Sequence, residues 1–73
     1  MYYVYFIIRS NKTYIGYTEN LIKRLKEHKV TKHELIYYEA YKNELDARNR
    51  ERKLKQRGQT IRRLKERIKR SLE

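Results

Sequence analysis

Cysteine and proline are absent from this 73-residue chain, and glycine occurs only twice. Without cysteine there is no disulfide, no thiolate nucleophile and no thiolate-bound zinc, so a metal would have to be held by oxygen or histidine ligands. The same absence fits a reducing compartment. Without proline there is no proline-rich linker, and neither a repeat nor a low-complexity tract divides the chain. Long apolar runs are lacking too. The opening stretch YYVYFII is far shorter than a membrane span and lacks the basic lead-in of a secretory signal. These absences predict a single small domain over residues 1–73, cytoplasmic and without a membrane partner, whose limited core must be used economically.

What the chain has in excess is positive charge. Twenty Lys and Arg stand against nine Asp and Glu, a formal net charge of +11. Such an excess attracts polyanions and makes their binding salt dependent, so nucleic acid is the expected partner. The excess is uneven: residues 1–41 carry seven basic and four acidic side chains, residues 42–73 thirteen and five. The second half is therefore the expected electrostatic platform. A basic surface that only keeps the chain soluble, or that docks on an acidic protein or membrane, is the competing reading.

The local patterns change along the chain. Residues 2–8 are rich in aromatic and β-branched types, RSNK supplies turn residues, and TYIGYT returns to strand composition, which predicts a β-hairpin. Thr18 is placed to cap a helix running to about His28 or Lys29, with Leu21 and Leu25 one turn apart. After the polar connector KVTKH, ELIYYEAY reads as a third strand and NELDARNRERKLKQR as a helix stopped by Gly58. Thr60 is expected to cap a third, basic amphipathic helix within residues 58–73, whose Ile61, Leu64, Ile68 and Leu72 share one face. The order β-β-α-β-α-α predicts an α+β fold, a small three-stranded antiparallel sheet flanked by helices. The apolar stripe of the last helix is expected to cover that sheet within a monomer; pairing of two chains through it is the alternative.

Several residues break their local pattern. Arg24 and His28 are four apart and border the Leu21–Leu25 stripe, where they either edge the core or face a ligand. Glu51 stands between Ala47 and Leu54 in an otherwise apolar seam, so it needs a cation, a metal or an opening to solvent. Gly16 interrupts a strand, which often marks close approach by another backbone or a ligand. Tyr3 and Tyr5 share a face of the first strand, and strand tyrosines are commonly packing residues with one satisfied hydroxyl.

Taken in order, VY, then YIG about ten residues on, then Arg24 and His28, then Glu51, resemble the motifs of the GIY-YIG nuclease superfamily, in particular its small single-domain bacterial members. The resemblance covers residues 1 to about 57. Each piece is weak alone, and their order and spacing carry the likeness. YVY takes the place of the first triplet, so Tyr5 matches its tyrosine, and Tyr14, Ile15 and Gly16 form an intact YIG. Arg24 matches the helical arginine, His28 a position that is often histidine or tyrosine, and Glu51 the glutamate that holds a single divalent ion. Lys55 fits a lysine common one turn later in the small members. Two positions depart: Tyr3 replaces the leading glycine, and Tyr17 stands where repair nucleases often carry a lysine.

The resemblance implies an endonuclease that hydrolyses phosphodiester bonds, with DNA ahead of RNA as substrate and repair or recombination as its setting. Glu51 would anchor one Mg²⁺ or Mn²⁺, with water and phosphate oxygens as the other ligands. Arg24 would clamp the phosphate. An ordinary phenol is ionised in only about one part in a thousand at neutral pH, so a phenol base needs nearby positive charge. Either Tyr5 or Tyr14 would serve as that base, and His28 would hydrogen-bond the phosphate, the water or a tyrosine. Lys55, Arg62, Arg63, Arg67 and Arg70 would hold the nucleic-acid backbone without base specificity. A nucleic-acid-binding module of the same fold that does not cut, and a protein that interacts through its last helix, are the alternatives.

Overall fold

The computed structural model describes residues 1–31, 33–56 and 58–72. Three strands, β1 (Tyr2–Arg9), β2 (Lys12–Thr18) and β3 (Leu35–Tyr41), form one antiparallel sheet in the order β2-β1-β3. Helix α1 (Leu21–Glu27) follows the hairpin, and α2 (Glu44–Gln56) and α3 (Gly58–Arg67) follow β3. The predicted α+β architecture and element order hold. A short 3₁₀ turn, Lys69–Leu72, continues the chain beyond α3, so the helix expected within residues 58–73 breaks after Arg67.

Strand alternation sorts the side chains. Val4 and Phe6 of β1 stand opposite Tyr17 and Ile15 of β2 and opposite Glu39 and Tyr37 of β3. This face carries the core: Val4 and Phe6 are buried together with Ala47 and Leu54 of α2 and Leu64 of α3. Ile61, Ile68 and Leu72 pack against the same cluster. The apolar stripe of the last helix is therefore spent within the chain. Truncating a buried leucine such as Leu64 costs about 2–5 kcal/mol.

The opposite face, bearing Tyr3, Tyr5 and Ile7, is covered only in part, because α1 is two turns long. Leu21 is buried there, whereas Tyr38 and Ile22 are exposed. Tyr3 and Tyr38 meet edge to face, with ring centroids 6.2 Å apart.

The helix ends differ from expectation in three places. Asn20, not Thr18, caps α1, its side-chain oxygen accepting the N–H of Lys23 at 3.1 Å. Thr18 acts two residues earlier: buried, its hydroxyl accepts the N–H of Asn20 at 3.1 Å and shapes the turn into the cap. Thr60 lies inside α3, and Gly58 opens that helix without a left-handed φ, so it is not the glycine stop of a preceding helix.

Candidate active site

β2 is an edge strand, and the pattern-breaking residues gather along it from both faces of the sheet. On the partly covered face the register sets Tyr5 opposite Gly16 and Ile7 opposite Tyr14. The hydroxyl end of Tyr5 occupies the space in which a side chain at Gly16 would begin: a Cβ there would collide with Cζ, Cε2 and the hydroxyl oxygen. Gly16 is thus required by close approach and not by backbone freedom, since its φ is not positive. Its lack of a side chain lets the Tyr5 phenol lean over the edge strand.

Tyr5, Tyr14 and His28 line one cavity of about 340 Å³, with Ile7, Arg9 and Ile15 completing the wall. Arg9 explains how His28 comes to be there. The last carbonyls of a helix lack internal partners, and Arg9 Nη2 donates to the carbonyls of His28 and Lys29, each at 3.1 Å. Its Nε also holds Glu34 at 2.8 Å, and Glu34 accepts the N–H of Thr31 at 2.8 Å. The end of α1 is in this way pinned to the end of β1. The Arg9 hydrogen bond, followed by that of the Thr31 N–H, holds the Glu34 carboxyl down at about 2.

Arg24 and His28 do not share a concavity. Arg24, half-buried, lines a separate cleft of about 340 Å³ with Tyr17, Asn20, Lys23 and Glu27, while His28 is exposed at the Tyr5–Tyr14 cavity. The two are joined through the helix, the N–H of His28 donating to the carbonyl of Arg24 at 3.1 Å.

On the core side of the sheet, α2 presents Glu44, Arg48, Glu51 and Lys55 at three- and four-residue intervals, hence as one stripe of alternating charge. Its first end is fixed to β2. The Tyr17 hydroxyl donates to Glu44 Oε2 at 2.8 Å, Arg48 donates to the same oxygen at 3.1 Å, and the Arg48 guanidinium lies 4.5 Å from the Tyr17 ring centroid. Burial, and next the hydrogen bond to Glu44, push the Tyr17 phenol up. Tyr17 is therefore a neutral donor to a carboxylate and unsuited to act as a base. At the other end, Lys55 lines a cleft with Lys65 of α3 and with Thr13, Tyr14 and Ile15 of β2. Glu51 lies on the stripe between these two anchor points, one turn before Lys55. Tyr14, common to the Lys55 cleft and the His28 cavity, is the wall between the two sides.

Glu51 meets the sequence expectation for a carboxylate in an apolar seam. Its side chain is 22% exposed and pairs with Lys55 at 3.1 Å, beside fully buried Ala47 and Leu54. Among the described residues no cluster of three or more His, Asp or Glu side chains could cage a metal. A lone hard-oxygen donor, open to solvent and partnered by an exposed lysine, suits Mg²⁺ or Mn²⁺, which commonly take one or two carboxylates and keep water for the rest.

The chain matches the GIY-YIG catalytic domain over residues 1–66. It belongs to the GIY-YIG family. No curated protein and no solved structure matches it. GIY-YIG proteins are nucleases that act on nucleic acid and generally use a divalent metal. The match runs past residue 57, where the motif likeness ended, and takes in all of α3 but its last residue. In this GIY-YIG domain no described helix is long and apolar enough to cross a membrane.

The basic residues expected to hold a backbone are divided. Lys55 stands in the cleft beside Tyr14, Arg63 and Arg67 line a different cleft with Arg50 and Lys53, and Arg62 and Arg70 are exposed outside both. Sequence reasoning missed Arg9, Lys65 and the Tyr17–Glu44–Arg48 group. The spacing of Glu44, Arg48, Glu51 and Lys55 was legible as a stripe, but nothing in it named Tyr17 as the partner across the sheet.

Proposed function

We propose that this GIY-YIG domain is a metal-dependent endonuclease that hydrolyses phosphodiester bonds of nucleic acid by in-line attack of water, with DNA as the first substrate to test. The observation that carries the reading is that Tyr14 forms a wall shared by the Tyr5–His28 cavity and the cleft of Lys55 and Lys65, with Glu51 paired to that Lys55. Phenols for proton transfer, cations for phosphate and one carboxylate for a metal then border a single edge.

Glu51 would hold the divalent ion, which when bound offsets charge on the phosphate oxygens. Arg24 directs a permanently charged planar fork at the phosphate and favours the pentacoordinate transition state, in which negative charge builds on oxygen. Water attacks phosphorus in line and Tyr5 or Tyr14 takes up its proton, while the opposite P–O bond breaks and the leaving oxygen is protonated from solvent. His28 hydrogen-bonds the phosphate or the attacking water at the mouth of the cavity. Lys55 and Lys65 hold the strand that enters past Tyr14. Residues 1–73 act as one domain and as a monomer, the Leu64 stripe being spent in the core.

The test is incubation of the protein with labelled single-stranded, duplex and branched DNA and RNA in Mg²⁺, Mn²⁺ or EDTA, beside Glu51→Ala. Cutting that requires both metal and Glu51 is expected. Binding without cutting in every metal would overturn the assignment in favour of a noncatalytic module.

A further inference from the structure

The seam between α2 and α3 opens into a cleft of about 290 Å³ lined by Arg50, Lys53, Thr60, Arg63, Leu64 and Arg67. It lies toward the other edge of the sheet, because Arg50 is tied to Glu39 of β3, whereas the Lys55–Lys65 cleft borders β2. Neither the catalytic reading nor the core accounts for four cations converging there.

The cleft is built and not merely decorated. Glu39, its side chain 13% exposed, accepts hydrogen bonds from the hydroxyls of Tyr37 and Tyr41 and from Arg50 Nε at 2.9 Å and Nη2 at 3.1 Å. Arg50 is thereby held in one place, with Nη1 outside the pair. Lys53, Arg63 and Arg67 have no acidic partner among the described residues. The contrast lies on the same helix, where Glu44, Arg48, Glu51 and Lys55 alternate in sign and pair along the stripe. A solvated basic face would look like that stripe. Unpaired like charges gathered in a concave site repel one another and focus a positive potential, which an anion relieves. The hydroxyl of Thr60 adds a neutral donor of the kind that contacts phosphate oxygens.

We propose that this cleft binds backbone phosphates of the strand that is not being cut, so that the preferred substrate is double-stranded. A strand running past Tyr14 through the Lys55–Lys65 cleft lies on the β2 side, while this cleft lies toward β3. The domain, 29 × 28 × 18 Å in extent, is broad enough to touch both backbones across a groove about 12 Å wide. The proposal rests on the nuclease reading for which strand is cut, and binding is measured without cleavage.

The experiment is fluorescence anisotropy in EDTA with a short blunt DNA duplex and each of its separated strands. The wild type is compared with Arg63→Gln/Arg67→Gln and with Lys12→Gln/Lys42→Gln, which removes equal charge elsewhere. The cleft variant is expected to lose about tenfold in duplex affinity and to lower the log–log salt slope by about 2, with single-strand affinity nearly unchanged. Its melting temperature should rise, because repulsion is relieved. Equal losses on duplex and single strand, or a loss no larger than that of the control, would overturn the proposal. So would competition by tripolyphosphate as strong, per phosphate, as by duplex, which would mark a small-anion site. Should the double variant fail to fold, Lys53→Gln, on the exposed surface of α2, carries the same comparison. Failure of the wild type to cut with metal would count against the nuclease reading and leave the duplex result standing.

Discussion

The hydroxyl end of Tyr5 sits over Gly16 of the neighbouring strand, in the space where any other side chain would begin. Gly16→Ala must displace that ring, an overpacking expected to cost about 1–3 kcal/mol, and it should also abolish cutting. The cycle with Tyr5→Ala checks the contact: the double variant should recover stability relative to Gly16→Ala while remaining inactive, which thermal melts and a cleavage assay would show. Additive losses of stability would refute the contact.

Three of the hairpin's five tyrosines, Tyr5, Tyr14 and Tyr17, have different tasks. Removing the phenol proposed as base, by Tyr5→Phe or Tyr14→Phe, should lower kcat by about 10²-fold or more with little change in Tm. Tyr17→Phe should behave in the opposite way. It removes a donor to the Glu44 carboxylate, so the melting temperature should fall while cutting persists.

Arg24→Lys keeps a charge and loses the planar fork, so a fall of about 10²-fold in kcat is expected with the fold intact. Glu51→Gln should abolish metal-dependent cutting. Its partner Lys55 is half exposed and Gln keeps the shape and polarity of the 22%-exposed Glu51, so denaturant titration should find stability within about 1 kcal/mol of the wild type. Wild-type rates in either variant would remove that residue from the mechanism.

Glu34 gives the fold a pH dependence. Its carboxyl is held at about 2 in the folded chain against an ordinary value of 4.5, so the pairing with Arg9 contributes stability above about pH 4.5 and loses it as pH falls toward 2. The melting temperature of the wild type should decline through that window. Glu34→Gln should melt lower than the wild type above it and converge with the wild type below it. Parallel curves down to pH 2 would mean that the Arg9–Glu34 pair does not bear on folding.

Tyr41 sets the corresponding limit in base. Burial, then the hydrogen bond to Glu39, raises its phenol from 10.0 to about 12, so the neutral form contributes stability below pH 10 that is lost as pH rises through about 12. Thermal melts of Tyr41→Phe across that range should show a flatter decline than the wild type.

The hairpin, the third strand and the long second helix were legible because each has its own period or composition, and binary patterning survives any tertiary arrangement that buries one face. Helix ends were less so. Thr18 and Asn20 are both good capping residues, and which of them caps depends on where the chain leaves β2, a matter of sheet register. Thr60 and Gly58 depart from expectation for a related reason: α3 begins as soon as the chain can fold back on α2, so local stop and start signals yield to the burial of Leu64.

By itself, the sequence determined the family, the element order, the excess positive charge and the one carboxylate lodged in an apolar seam, since these follow from residue types and their spacing. Only the tertiary structure decided how the charges divide. Packing α2 and α3 over the sheet sends Lys55 and Lys65 to the β2 edge beside Tyr14, and sends Arg50, Lys53, Arg63 and Arg67 to a cleft toward β3. The reason is physical: a helix buries one stripe, and once Ala47, Leu54 and Leu64 are buried, every cation is assigned to one flank or the other.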